Sequence, residues 1–369
     1  MMKISCLQEN LKYGLSVVGK AAATRTSLPI TNNILLATEN SRLRLTATNL
    51  EMAITCWVGA KVEKEGKVTI PAVTLGKIAV ELPDSLVEME VSGNEVLSLT
   101  CGSTFSKISG TATDDFPAIP QVKSGKAIKI NASDFRKAVS RVVFSAATDE
   151  SRPILTGVFV EFSGKELILA SADGFRLSVC KITLNTEVSG VGKIVIPART
   201  LNEVLRLIGE NDPDIEIVID NEKNQVMFRL KEIEIVSNLL AGNFPPYNQL
   251  IPKEYTTKAI LDTTAFTRGN RAARIFAEGS GIVKLELAAN KMAISARAEE
   301  VGENKSEIEA AMDGPNNKIA FNGKYISDVL SVMHTSEVAL EITNPQSPGI
   351  LRPVGDSSYL HVIMPMFIQ

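Results

Sequence analysis

Ile70-Pro71-Ala72-Val73-Thr74-Leu75, followed by Ile78, Ala79 and Leu82, returns as Ile196-Pro197-Ala198-Arg199-Thr200-Leu201 with Val204, Leu205 and Ile208. It returns again as Phe321-Asn322-Gly323-Lys324-Tyr325-Ile326 with Val329, Leu330 and Met333. Each copy reads as a short strand running into a helix. The apolar residues of each helix recur at i, i+3, i+4 and i+7, which makes one buried stripe. Leu75 and Leu201 are 126 residues apart, and Leu201 and Ile326 are 125 apart. Repeats at a fixed period point to tandem copies of one folding unit.

Other segments keep the same period. Leu43-Arg44-Leu45-Thr46-Ala47 matches Leu167-Ile168-Leu169-Ala170-Ser171 and then Met292-Ala293-Ile294-Ser295-Ala296. Asp115-Phe116-Pro117 matches Asn243-Phe244-Pro245. Each unit also opens with an amphipathic helix. Its stripe is Leu7, Leu11, Leu15 and Val18 in the first, and Phe135, Ala138, Val139 and Val142 in the second. Phe266, Ala273 and Phe276 make a weaker stripe in the third. Between helices, stretches such as Val87-Glu88-Met89-Glu90-Val91 and Ile215-Glu216-Ile217-Val218-Ile219 alternate as half-buried strands do. The expected fold is α+β: three tandem domains, at 1–122, 127–252 and 253–369, each with two helices on antiparallel sheets.

The net charge of −3 argues against a protein that coats nucleic acid with its whole surface. The distribution is uneven, however. The six expected helices, 8–20, 72–82, 133–146, 198–208, 263–276 and 323–333, together carry +7, which leaves −10 on the rest. Arg199 and Arg206 stand opposite Leu201 and Leu205, and Arg268 and Arg271 likewise avoid the apolar stripe. Basic helix faces over an acidic body attract phosphates without reading sequence. Ordinary solvated helix faces are equally consistent with this charge pattern.

No catalytic constellation emerges. The two histidines, His334 and His361, have no His or Cys at ligand spacing, so no metal site and no cofactor are expected. Phosphate loops, dinucleotide fingerprints and nucleophile elbows are absent. The cysteines Cys6, Cys56, Cys101 and Cys180 are widely spaced in apolar stretches and read as buried free thiols. Asp173-Gly174-Phe175 reads as a turn between strands. The N-terminus lacks the apolar core of a secretory signal, and no apolar run nears the ~18 residues of a membrane span. A cytoplasmic binding protein is expected.

The chain resembles a known family in Leu45-Thr46-Ala47-Thr48-Asn49-Leu50-Glu51-Met52, Ala172-Asp173-Gly174-Phe175-Arg176-Leu177, Phe244-Pro245-Pro246-Tyr247 and Val362-Ile363-Met364-Pro365-Met366. Together, in this order and spacing, they resemble the bacterial β sliding clamps, the β subunits of DNA polymerase III. That resemblance implies a DNA clamp fold and a non-catalytic, head-to-tail homodimeric ring around double-stranded DNA. It also implies as partners the DNA polymerase III catalytic subunit, a clamp loader and other clamp-binding-motif proteins. Phosphate contacts are implied at Arg25, Arg136, Lys137, Arg141, Arg199, Arg206, Arg268 and Arg271. A partner-peptide pocket is implied at Leu155, Gly174, Phe175, Arg176, Leu177, Pro245, Leu250, Val362, Met364, Pro365 and Met366. The implied subunit contact joins Ile78, Leu82, Phe105, Lys107 and Ile108 to Ile275, Phe276, Glu299, Glu300 and Glu303. Phe175 and Gln249 depart from the more polar or basic residues often found there, and Val73, Thr74 and Val80 replace residues that are basic in some relatives. Two other readings fit the sequence less fully: a repeat-built scaffold, and a hydrolase using Asp173.

Overall fold

The computed structural model describes residues 2–23, 27–120, 122 and 127–367. It contains three tandem α+β domains, and each follows the order strand, helix, strands, helix, strands. The helices are α1 (Gln8–Val18), α2 (Ala72–Glu81), α3 (Ala132–Val142), α4 (Ala198–Leu207), α5 (Thr263–Ile275) and α6 (Gly323–Ser331). Each follows a strand directly. The turn into the helix is held by a side-chain cap where the sequence supplies one. Asp262 Oδ1 accepts from the Ala265 N–H at 2.6 Å, and Asn322 Oδ1 from the Lys324 N–H at 2.9 Å.

By contact density the chain falls into two compact units: Met1–Ser133 with Asn202–Leu239, and Asp134–Leu201 with Leu240–Gln369. The first holds a five-stranded and an eight-stranded sheet. In the larger one, the strand Ile233–Asn238 pairs antiparallel with Met52–Gly59, Ile235 facing Ile54. The second unit holds an eleven-stranded sheet, where Arg176–Val188 pairs with Tyr359–Ile363 and Leu177 faces Val362. Each unit thus runs one sheet across a boundary between repeats. An edge that would otherwise template aggregation is paired within the chain.

The apolar stripes pack as their spacing predicts. Leu11, Leu15 and Val18 of α1 are buried, as are Phe135, Ala138, Val139 and Val142 of α3. The first helix of a repeat approaches its sheet very closely. A Cβ on Gly14 would lie 2.5 Å from Leu45 Cδ1, and one on Gly269 would lie 2.6 Å from Ile294 Cδ1. All four cysteines are buried and free. Burial pushes the Cys6 and Cys56 thiols up to about 12, which leaves them unreactive.

Two details differ from the sequence reading. Leu7 ends the first strand rather than lying on α1, and its side chain is exposed. The helix expected over 133–146 stops at Val142 and continues as a 3-10 turn, Val143–Ser145. There the Phe144 carbonyl accepts from Arg176 Nη2 at 2.8 Å, and the Ser145 hydroxyl bonds Ser178 at 2.7 Å. These tertiary partners replace the helical ones.

Candidate functional site

A groove of about 380 Å3 opens in the second unit, beside the pairing of Arg176–Val188 with Tyr359–Ile363. Its walls are Ala172, Gly174, Arg176 and Leu177 from one turn and strand, Gln249 to Pro252 from a linker, and Pro348, Val362 and Met364. Most of that lining is apolar, which suits short segments with aliphatic or aromatic anchors.

The turn at its mouth is built from one carboxylate. Asp173 Oδ1 accepts from the N–H groups of Phe175 and Arg176 at 2.9 and 3.0 Å, and Asp173 Oδ2 accepts from Arg176 Nε at 2.9 Å. Gly174 has φ +95°, a left-handed conformation that costs a side chain dearly. Arg176 is buried and fully engaged. Nη1 donates to Asp328 at 2.6 Å, Nη2 donates to the Phe144 carbonyl, and the Tyr325 ring lies 4.3 Å from the guanidinium carbon. The arginine therefore fixes the groove's shape and has little left to offer a ligand. On the next residue pair, Ser178 bonds His361 Nδ1 at 2.7 Å. Burial first, and Arg176 second, lower the His361 ring to about 3, so it is neutral.

Of the residues expected in the pocket, Gly174, Arg176, Leu177, Leu250, Val362 and Met364 line this groove. Phe175 stands exposed beside it, and the Met364 N–H donates to its carbonyl at 2.8 Å. Leu155 is a core residue, 4% exposed, and does not line this groove. Pro245, Pro365 and Met366 also lie outside it. The lining residues that the sequence reading did not assign are Ala172, Gln249, Ile251, Pro252 and Pro348. Only adjacency to the Leu250 linker could have pointed to most of them.

The basic helix residues divide by environment. Arg199, Arg268 and Arg271 are exposed, Lys137 is exposed but 3.4 Å from Asp356, and Arg136 is half-buried. Arg206 donates to Glu203 at 2.8 Å and to the Val17 carbonyl at 3.1 Å, so it caps the C-terminus of α1. Arg141 corrects the sequence expectation. Its side chain is 2% exposed and paired with Asp356 at 2.9 Å, out of reach of a phosphate. Arg25 lies outside the described residues.

Among the unpaired strand edges of the sheets, two carry the residues expected at a subunit contact. Thr104–Ser109 ends the five-stranded sheet, with Phe105 60% exposed and the Lys107 ammonium 5.7 Å from its ring. Ile78 is half-buried, whereas Leu82 and Ile108 are buried in the chain and back this edge from within. In the second unit, the first half of Gly302–Asp313 pairs only with Lys291–Ala298. Glu299, Glu300 and Glu303 are exposed there, as is Ile275 at 64%, and Phe276 is half-buried. Among the described residues no cluster of His, Cys, Asp or Glu could hold a metal ion, and no helix is long and apolar enough to cross a membrane.

Comparison with known proteins agrees along the whole chain. The profile of the DNA polymerase III beta subunit N-terminal domain matches residues 2–120, the central domain 129–246, and the C-terminal domain 248–367. The beta sliding clamp of Synechococcus elongatus is 30% identical over 376 residues, covering 100% of both chains. That of Staphylococcus aureus is 29% identical over 377 residues, covering 99% of both. The crystal structure of the Bacillus subtilis sliding clamp superposes with a TM-score of 0.96 at 28% identity, covering 100% of both chains. A Pseudomonas aeruginosa sliding clamp bound to griselimycin superposes with a TM-score of 0.93 at 26% identity, again over 100% of both.

Proposed function

The chain belongs to the DNA polymerase III beta subunit family, the β sliding clamps, and from that premise we propose that two copies close head to tail into a ring around duplex DNA. The chain acts as a DNA sliding clamp that tethers a polymerase, and it is not an enzyme. In the proposed assembly the domains are 1–122, 127–252 and 253–369, and the protein works in the cytoplasm.

The observation that carries this reading is the complementarity of the Thr104–Ser109 and Gly302–Asp313 edges. One offers Phe105 and Lys107, the other Ile275 with Glu299, Glu300 and Glu303. Opposite charges flanking apolar anchors suit strand-to-strand closure between copies, and a head-to-tail contact that closes would pair both of these edges. Arg199, Arg268 and Arg271 would then meet phosphates, with Arg25 and the half-buried Arg136 as further candidates. Such contacts are weak and independent of sequence, so the ring slides. A polymerase held in the groove rebinds at high effective concentration after each slip. The same groove serves the DNA polymerase III catalytic subunit, a clamp loader and other clamp-binding-motif proteins in turn, and we assign to it as well the binding of griselimycin, which the Pseudomonas aeruginosa clamp binds. Opening the ring is the task of the clamp loader, an ATPase.

The test is retention on circular DNA. Protein loaded onto a nicked plasmid by a clamp loader stays bound at salt that abolishes simple phosphate contacts, and it leaves once the plasmid is linearised. Equal loss from circular and linear DNA as salt rises would overturn the topological reading. Griselimycin binding should vanish in Val362→Arg, and binding that survived this change would remove the groove from the proposal.

A further inference from the structure

One carboxylate ties the groove to α6. Arg176 Nη1 donates to Asp328 Oδ2 at 2.6 Å, and Lys324 Nζ donates to the same oxygen at 2.7 Å. The three side chains grade from buried to open, at 7% exposure for Arg176, 25% for Asp328 and 62% for Lys324. Arg176 in turn holds Asp173, whose other oxygen shapes the turn through Gly174. The first repeat makes the same turn without the charge. Asn49 Oδ1 accepts from the N–H groups of Glu51 and Met52 at 3.1 and 2.9 Å, but Met52 stands where the second repeat has Arg176. On α4, the second helix of the following repeat, Glu203 and Arg199 occupy the positions matching Asp328 and Lys324, but Met52 brings no guanidinium to them. The charged tether thus accompanies the groove and not the turn as such.

We propose that Asp328 is a positioning residue for the groove, acting through Arg176, and that Lys324 sets its strength by sharing the same carboxylate oxygen. This rests on the clamp reading, which brings DNA phosphate to exposed cations on the helices. A phosphate that draws Lys324 away leaves Asp328 to Arg176 alone. That pair is poorly exposed, so its attraction is little screened. A turn held more firmly needs less ordering when a peptide enters, and affinity rises. By linkage, a peptide in the groove strengthens duplex binding by the same factor.

The experiment follows a fluorescent peptide ending in Leu-Phe by anisotropy, using the full-length protein with and without a short DNA duplex at low salt. The duplex should tighten peptide binding about fivefold. Lys324→Gln should bind the peptide at the tightened affinity without duplex and respond to duplex no further. Asp328→Asn should bind weakly in both conditions, with Asp328→Glu recovering part of the loss. If Asp328→Asn fails to fold, the exposed Lys324 variant decides. Parental affinity and a parental duplex response in Lys324→Gln, or no duplex response in the parent, would overturn the coupling. Val362→Arg is the separate control: peptide binding that survives it refutes the groove itself.

Discussion

Arg141 of α3 and Asp356, in the turn between the strands Gly349–Pro353 and Tyr359–Ile363, form an ion pair of 2.9 Å with the arginine side chain only 2% exposed. The guanidinium also lies 5.2 Å from the Tyr359 ring, and Lys137 adds a second, looser cation at 3.4 Å. A helix of the second repeat is thereby joined to a turn of the third. Removing one partner of a buried pair leaves the other uncompensated, at a cost of about 3 kcal/mol. Asp356→Asn should lower unfolding stability by that order in urea titration. Burial would raise the Asp356 carboxyl, but hydrogen bonds from Ser358 and the charge of Arg141 hold it well below the usual carboxylate range. The sign follows: this stability is present above the unfolded carboxylate pKa of about 4 and is lost as pH falls below it. In Asp356→Asn that acid loss should shrink.

His361 supplies a second acid window at higher pH. The ring is fully buried and lowered to about 3, so the folded state keeps it neutral where the unfolded chain takes a proton. Stability should fall by up to about 1.4 kcal/mol per pH unit between about 6.5 and the folded value. His361→Gln, whose amide oxygen can accept from Ser178, should flatten the slope in that interval and leave the lower carboxylate window intact. An unchanged slope from pH 6 to 4 would show that another group carries it.

The repeat, the helix stripes and the groove's strands were legible because each is a local pattern. Phe135, Ala138, Val139 and Val142 announce a buried face whatever lies opposite. The fate of individual cations was not legible. Arg141 and Lys137 sit on one exposed-looking helix face, yet both point to Asp356, more than 200 residues away in sequence. Arg206 likewise finds the end of α1 instead of solvent. Charge periodicity identifies a face, but only the fold shows which carboxylate or carbonyl it meets. Pro348 reached the groove for the same reason, since nothing local marks it.

Glycines within helices should respond in opposite directions. Gly14 and Gly269 sit where the first helix of a repeat touches its sheet, and an added methyl would collide with Leu45 and Ile294. Alanine gains about 1 kcal/mol of helix propensity, but overpacking costs about 1–3 kcal/mol, so both substitutions should destabilise. Gly76 of α2 has nothing within 4 Å of its would-be Cβ, so Gly76→Ala should stabilise by about 0.5–1 kcal/mol. Thermal unfolding of the three variants checks the contrast.

The proposed ring closure makes a demand on Ile275, an exposed branched aliphatic at the end of its helix, next to the exposed Arg274. Solvated singly, such a residue is unremarkable; placed against Phe105 of a second copy, it becomes an anchor. Ile275→Glu puts a charge at that anchor next to Glu299, Glu300 and Glu303. Sedimentation should then report a species of 39.8 kDa in place of one twice as heavy. Electrostatics at the rim can be separated from the anchor. Lys107→Glu should weaken the dimer by like-charge repulsion, and Glu303→Lys should do so for the same reason. A one-to-one mixture of the two single variants restores opposite charges only at contacts between unlike chains, while the double variant restores them at every contact. Recovery of the dimer in the double variant would tie Lys107 of one copy to Glu303 of the other. Additive loss would place the two residues on surfaces that never meet.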